Sequence, residues 1–394
     1  MRNLPMSYKK TYAETVRLRY QRSSRREKAI ILNELCLNCN YTRKHAIKVL
    51  NYPMATIADK IYQKRGPKPK YSYEKFLEPL GIIWQAAGKP CSKKMKVILS
   101  EWIGHYQQTY GQLEAEIVNG LTTISAATID RLLTGSKYRA QPKGISGTRP
   151  GTLLKKHIAI HSNSWDYTVP GHFESDTVAL CGNTIIGGFV WCVNMTDIAT
   201  GWTEMRASWN KASESILNQI ADIEKSLPMP ILGFDSDNGS EFINNILLNY
   251  FTKREQPVKF TRSRPYRKND AAHIEQKNFT HIRQLLGYER FSDPSLVPML
   301  NDLFKNDLSL FNNHFIPSMK LASKKRVGSN ILKKYHKPIT PYASLLQDET
   351  LSPLNKQKLI EFHKTLNPFV LRESIDRKLS AIFKIVRTST PLSE

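Results

Sequence analysis

Residues 172–208 read HFESDTVALCGNTIIGGFVWCVNMTDIATGWTEMRAS. Three β-rich apolar runs, HFESDTVAL, IGGFVWCVNM and TGWTEMRAS, are separated by the short turn strings CGNT and TDIAT. Connections of that length suit hairpins, so 172–206 is expected to form a three-stranded antiparallel meander. Downstream the period changes. A helix is expected at about 210–226, a strand at 230–235 (PILGFD), a helix at about 240–253, a strand at 257–262 and a long helix at about 271–287. Three hairpin strands followed by alternating helices and strands describe an α/β domain: a mixed five-stranded sheet with flanking helices.

Three acids stand out within this frame. Asp176 falls in the middle of the first expected strand, where a central strand ordinarily carries an apolar side chain. Asp237 follows the fourth strand, in FDSDNGSEF, and Glu275 lies in the first turns of the last helix, in RPYRKNDAAHIEQKN. A strand, the end of its neighbour and a covering helix can bring such residues to one point. Two-metal phosphoryl transfer needs a set of this kind, because paired divalent cations activate the attacking oxygen and stabilise the leaving one. Oxygen-only ligands suit Mg²⁺, two ions per site, with Mn²⁺ as a substitute. Asp176 is expected to bridge both ions, Asp237 to complete one site and Glu275 the other. Plainer readings exist for each: a hydrogen-bonded edge residue, a DNG turn, and a Glu placed to favour a helix dipole. Asp235 is a rival on the same face as Asp237, and Asp270 a rival to Glu275 that reads better as a helix cap. Glu174 is placed to support Asp176, and Asp197 reads as a turn residue.

FESDTV, SDNGSEF and YRKNDAAHIEQKN resemble the three acidic motifs of DDE recombinases, the group of retroviral integrases and bacterial insertion-sequence transposases. The DNG step is the most specific of these short elements. Thirty-seven residues separate Asp237 from Glu275, slightly more than is typical of the group. The resemblance covers about 170–290 and implies a ribonuclease-H-like core that cleaves DNA to expose a 3′-OH and joins it to target DNA. It also implies a bacterial insertion-sequence transposase with double-stranded DNA as partner, acting as a homo-oligomer of at least two subunits, cytoplasmic and nucleoid-associated, with no membrane role. Near the acids, Lys277, Asn278 and Arg283 on the last helix, and Arg262, Arg264, Arg267 and Lys268 before it, are expected to touch DNA. His172 and His273 are further candidates.

The rest of the chain agrees with a polyanionic partner. Its 394 residues hold 58 Lys and Arg against 34 Asp and Glu, a net charge of +24, and cations on phosphates release condensed counterions. No apolar run is long enough to span a membrane, and no signal peptide is evident. Residues 1–64 read as a helix-turn-helix domain. Ala29, Ile30, Leu32, Leu35 and Cys36 mark its first helix, and Ala46, Ile47 and Leu50 the inward face of its second. Arg43, Lys44 and Lys48 point outward to DNA. Cys36 and Cys39 have CxxC spacing but lack a convincing fourth ligand, so they read as core residues rather than a zinc site. Residues 65–72 and 136–165 are basic linkers, flanking a second helical DNA-binding domain at 73–135. In it Ser125 caps a helix whose Thr128 and Arg131 face outward.

The catalytic core is expected over 166–312 and a basic C-terminal region over 313–394. The latter begins loop-rich, with Lys324, Lys325 and Arg326 as DNA contacts, and ends in two helices. The last is capped by Asn367 and carries the stripe Leu371, Ile375, Leu379, Ile382, Phe383 and Val386, open to the chain's own helices or to a second subunit. Two other functions fit less of this pattern: a non-catalytic regulator derived from a transposase, and a ribonuclease-H-like nuclease. Serine or tyrosine recombination lacks a distinguishable nucleophile among the 17 tyrosines.

Overall fold

The computed structural model describes residues 5–51, 71, 73–134, 159–160, 168–237, 239–262 and 272–389. The chain divides into two compact units, Met1–Lys70 and Tyr71–Glu394.

Among its described residues the first unit contains three helices, α1 (Met6–Arg22), α2 (Arg25–Cys39) and α3 (Arg43–Asn51). A capping box starts α2: the Ser24 side chain takes an N–H of the first turn, and Glu27 takes the Ser24 N–H at 2.7 Å. Asn40 adopts a left-handed conformation (φ 54°) and turns the chain into α3. Leu35, Cys39, Ala46 and Leu50 are completely buried, so Cys39 is a core residue. The first helix was not anticipated. Two expected core positions also differ: Ile30 and Ile47 are exposed, and Val49 takes the buried place on α3.

The second unit is built on one sheet, in the order β1 (Ala159–Ile160), β6 (Lys259–Arg262), β5 (Gly233–Ser236), β2 (His172–Ala179), β3 (Trp191–Asp197), β4 (Thr203–Ser208). The meander β2–β3–β4 is antiparallel, whereas β5 and β6 run parallel to β2. This is the expected mixed five-stranded sheet, extended by the two-residue β1 beside β6. One face packs Phe173, Val193, Met195 and Phe234 against Ile216 and Ile220 of α8 (Ser213–Ser226) and Leu247 and Phe251 of α9 (Asn245–Thr252). The opposite face presents Val178, Cys192, Met205 and Ala207.

That second face meets helices from three parts of the chain. Residues 73–134 form α4 (Tyr73–Ala86), α5 (Ser92–Tyr110), α6 (Ala115–Thr123) and α7 (Ala126–Leu132). Ser125 caps α7 as expected, accepting the Thr128 N–H; α6 was not foreseen. Their interior, including Trp102 and Leu121, is continuous with the sheet face rather than closed on itself. The long helix expected at 271–287 is α10 (Ala272–Lys277), a π-helical segment at Asn278–Arg283, and α11 (Gln284–Leu286). Then come α12 (Leu296–Leu303), a second π segment, and α13 (Ser309–Phe315).

Two asparagines close the outer edge of β4. Asn313 exchanges two hydrogen bonds with the Thr203 backbone, both 2.9 Å, and Asn301 does the same with Ala207 at 2.7 and 3.0 Å. Side-chain amides thus occupy the edge groups on which another strand could pair.

After α13 the segment expected to be loop-rich forms a hairpin, β7 (Leu321–Val327) and β8 (Asn330–Tyr335), exposed along its whole length. Three helices follow: α14 (Pro341–Gln347), α15 (Pro353–Lys364) and α16 (Pro368–Ser389). Asn367 caps the last, accepting the Phe369 N–H. Its apolar stripe packs within the chain, against α12, α13 and α5, so that face is not free for a second subunit. Glu101 of α5, His363 of α15 and His314 of α13 form a further tie, at 2.8 and 3.0 Å.

Candidate active site

The parallel register of β2 and β5 pairs Ser175 with Ser236. The next residues are Asp176, still in β2, and Asp237, immediately beyond β5. The sheet therefore delivers the two acids side by side. Asp176 Oδ1 accepts its neighbour Thr177's N–H, and Oδ2 accepts Asn278 Nδ2, each at 2.7 Å. Asp237 Oδ1 accepts the Gly239 N–H at 2.9 Å. Burial, and then the nearby Asp237 charge, push Asp176 up to about 7. Burial pushes Asp237 up to about 6; Glu241 adds to this, while the Gly239 N–H and Lys211 oppose it. Two carboxylates disfavour each other's ionisation in this way when they share a partly dry site.

A third acid joins them that sequence reasoning missed. Glu241 is buried, its Oε1 accepting the Thr177 hydroxyl at 3.0 Å. Its Oε2 is buried without a hydrogen-bond partner among the described residues and stands 3.9 Å from Lys211 Nζ. Gly239 makes this possible. A Cβ there would lie 2.6–2.8 Å from the Glu241 carboxylate, closer than nonbonded atoms approach. The available signal was the acid four residues after Asp237 in the same SDNGSEF string. Asn194 was also missed. It lies directly opposite Asp176 on β3 and donates to Asn278 Oδ1 at 2.7 Å, while its own Oδ1 is buried without a partner among the described residues. An amide chain, Asn194 to Asn278 to Asp176, thus runs across the site.

The donor set suits a hard divalent cation. The Asp176–Asp237 pair lies beside Glu241 and the partly exposed Lys211, and among the described residues one Glu241 oxygen is buried without a partner. Mg²⁺ commonly binds through one or two protein carboxylates, with water and substrate phosphate completing its shell. Among the described residues no three acid, imidazole or thiol groups converge to enclose an ion.

Glu275 is exposed on α10, one turn before Asn278 and so on a neighbouring part of the same helix face. The helix start is held by Glu174, which is buried and accepts the Ile274 N–H at 3.1 Å. The structure therefore brings Asp176 and Asp237 together and makes Asn278 the helix residue that reaches them. Asp235, the rival acid, is buried and accepts the Thr261 hydroxyl at 2.6 Å. Asp197, read as a turn residue, is the buried last residue of β3 and accepts N–H groups of Gly171 and Thr200.

Several expected DNA contacts are otherwise engaged. Asn278 points inward at Asp176. Arg283 donates to the Ala179 carbonyl at 2.8 Å and stacks on Tyr288, pinning the helix to the end of β2. Arg262 is buried within β6. Lys277 is partly buried, 3.5 Å from the His281 ring, and burial and then Lys94 lower it to about 7. Arg264, Arg267 and Lys268 lie outside the described residues, as does the His273 side chain. His172 Nδ1 is 3.2 Å from the Val169 carbonyl. Arg43, Lys44 and Lys48 are exposed on α3, Arg43 bonding Asn33. Arg131 is exposed and bonds the Thr128 hydroxyl at 3.0 Å. Lys324, Lys325 and Arg326 are exposed on β7.

Sheet, half-buried acid pair and covering helix define a mixed α/β protein with an acidic site where the parallel pairing of β2 and β5 ends. The chain is 34% identical over 349 residues to the uncharacterized protein y4rM of Sinorhizobium fredii (strain NBRC 101917 / NGR234), an overlap of 87% of this chain and 96% of that protein, and it belongs to the same family. No family model matches. Similar solved structures include the HTLV-2 integrase catalytic core domain in complex with magnesium, 18% identical, TM-score 0.27, covering 38% of this chain and 91% of that one. Another is the simian T-cell lymphotropic virus intasome in complex with PP2A regulatory subunit B56 gamma, 17% identical, TM-score 0.29, covering 56% and 83%. Overlaps this partial carry no argument of their own, and the fold rests on the strand order above.

Proposed function

We propose that the chain is a DDE-type DNA transposase with a ribonuclease-H-like core. It would hydrolyse a phosphodiester at the end of a mobile DNA element and join the exposed 3′-OH to target DNA, with Asp176, Asp237 and Glu275 as catalytic carboxylates. The observation that carries this reading is the half-buried Asp176–Asp237 pair, set side by side where the parallel pairing of β2 and β5 ends, in the motifs FESDTV and SDNGSEF. Mg²⁺ held there would act as a Lewis acid on the attacking and leaving oxygens. The chain's own residues supply position: Thr177 and Asn278 orient Asp176, Gly239 fixes Asp237, and Glu174 anchors the helix carrying Glu275. Glu275, open to solvent one helical turn from Asn278, would join the pair when a DNA end is bound.

The flanks fit DNA delivery. The exposed cations of α3 suit a recognition helix, and those of β7–β8 suit a phosphate track. The hairpin sets Lys324 directly opposite Lys333, an arrangement that is unfavourable alone and relieved by a polyanion. Joining two element ends requires two active sites, so a homo-oligomer on DNA belongs to the proposal.

One observation favours a second reading, a DNA-binding regulator without catalysis: Glu275 is exposed, and among the described residues no three acids converge on one point. The two are separated by incubating the full chain with Mg²⁺ and labelled duplex carrying the sequence that flanks its own gene. Site-specific 3′ cleavage, lost in Asp237→Asn, supports the transposase. Tight binding without cleavage in either Mg²⁺ or Mn²⁺ supports the regulator.

A further inference from the structure

We propose that the cleft lined by the α4–α5 loop, α5, the helix 272–286, α13 and α16 binds the phosphodiester backbone of a DNA strand. The cleft holds about 430 Å³ and takes Lys89 and Lys94 from one wall, Lys277 and His281 from a second, and Arg372 from α16. No Asp or Glu lines it. Among the described residues no carboxylate pairs with Lys94 or Lys277, and the two stand close enough to repel one another. Arg372 is shared with Asp376 on its own helix. The Asn312 amide nitrogen, also lining the cleft, is a buried donor without an acceptor among the described residues.

Cations and unused donors, partly withdrawn from water and facing each other, are unfavourable until an anion sits among them. Phosphate offers both the charge and the acceptors. A strand rather than a free phosphate is indicated by what adjoins the cleft. Gln276, Lys277 and Ser318 also line a second cavity of about 330 Å³ that contains Lys320 and Lys333 together with one carboxylate, Asp197, which accepts the Gly171 and Thr200 N–H groups. Cations therefore continue on both sides of Lys277, as successive phosphates require, along the helix that carries Glu275. Naming the strand as DNA rests on the function proposed above; the anion site itself does not.

The test uses the full chain, labelled duplex DNA and a salt series read by fluorescence anisotropy. Lys94→Gln and the double variant Lys89→Gln/Lys94→Gln are expected to weaken binding several-fold per lysine. The slope of log affinity on log salt should become shallower by about 1 for each. Lys94→Arg should restore both. Without DNA, Lys94→Gln should melt no lower than wild type, because it removes an unpaired charge. A lysine that merely held the fold together would give the opposite result. Folded Lys94→Gln with wild-type affinity and slope overturns the proposal. So does inorganic phosphate that raises the melting temperature of wild type but not of Lys94→Gln while DNA binding is unchanged, since the site would then serve a free anion. Wild type that binds no DNA at low salt removes the DNA reading itself, a result distinct from the other two.

Discussion

Asp176 has one oxygen on the Thr177 N–H, the other on Asn278, and a neighbouring aspartate that resists its ionisation. Its folded pKa, pushed up to about 7, lies above the ordinary carboxylate range near 3.9. Ionising it therefore costs the folded state progressively as pH rises through that interval, and costs nothing below it. Asp176→Asn should raise the melting temperature at pH 8, equivalent to about 1–3 kcal/mol, and leave it unchanged near pH 4. The amide chain can accommodate the change: Asn278 and Asn194 can both flip, and Asn194 Oδ1, now without a partner, gives up its place to the amide nitrogen. A lower melting temperature at pH 8 would show that the carboxylate is not strained. Asp176 was legible because an acid interrupts an apolar strand. Glu241 was not, because its direction depends on the missing Cβ of Gly239, which a turn-like DNG string does not reveal.

At the level of elements, the helix carrying Glu275 is positioned from below by Glu174 and from its middle by Asn278 and Arg283. Glu174→Ala should speed amide exchange over 274–278 and slow DNA joining by about 10–100-fold, since small displacements of a catalytic group have large effects. Exchange at the wild-type rate would mean that the cap does not hold the helix. The strands and this helix were legible from period-2 and period-3.6 patterning in the sequence, to within a few residues. The π segment at 278–283 was not, because it keeps the apolar positions of a helix while widening the turn. Asn194 was hidden for a related reason: its importance depends on hairpin register, which places it opposite Asp176. Asn278, Arg283 and Arg262, expected to face DNA, turn inward to protein partners, because charge and polarity do not say whether a side chain turns in or out.

On the scale of the whole molecule, residues 73–135 read as a separate domain because their helices are amphipathic and flanked by basic linkers. Their apolar faces instead share an interior with the sheet and with α16, and sequence patterning does not say which two faces meet. The exposed hairpin β7–β8 contributes nothing to that interior. Replacing residues 322–334 by a short glycine linker should leave the melting temperature unchanged. It should also make the salt dependence of DNA binding shallower by up to about 5, one per removed cation. A cooperative loss of stability would instead make the hairpin part of the core. The central claim, that Asp176, Asp237 and Glu275 act together on DNA, is tested most directly by the joining step alone. Duplex with a pre-exposed 3′-OH element end is mixed with plasmid and Mg²⁺, and the end-joined product is measured for wild type, Asp176→Asn and Glu275→Gln. Joined product from wild type only, with DNA binding retained by both variants, is the predicted result; joining by Asp176→Asn at the wild-type rate would contradict the account.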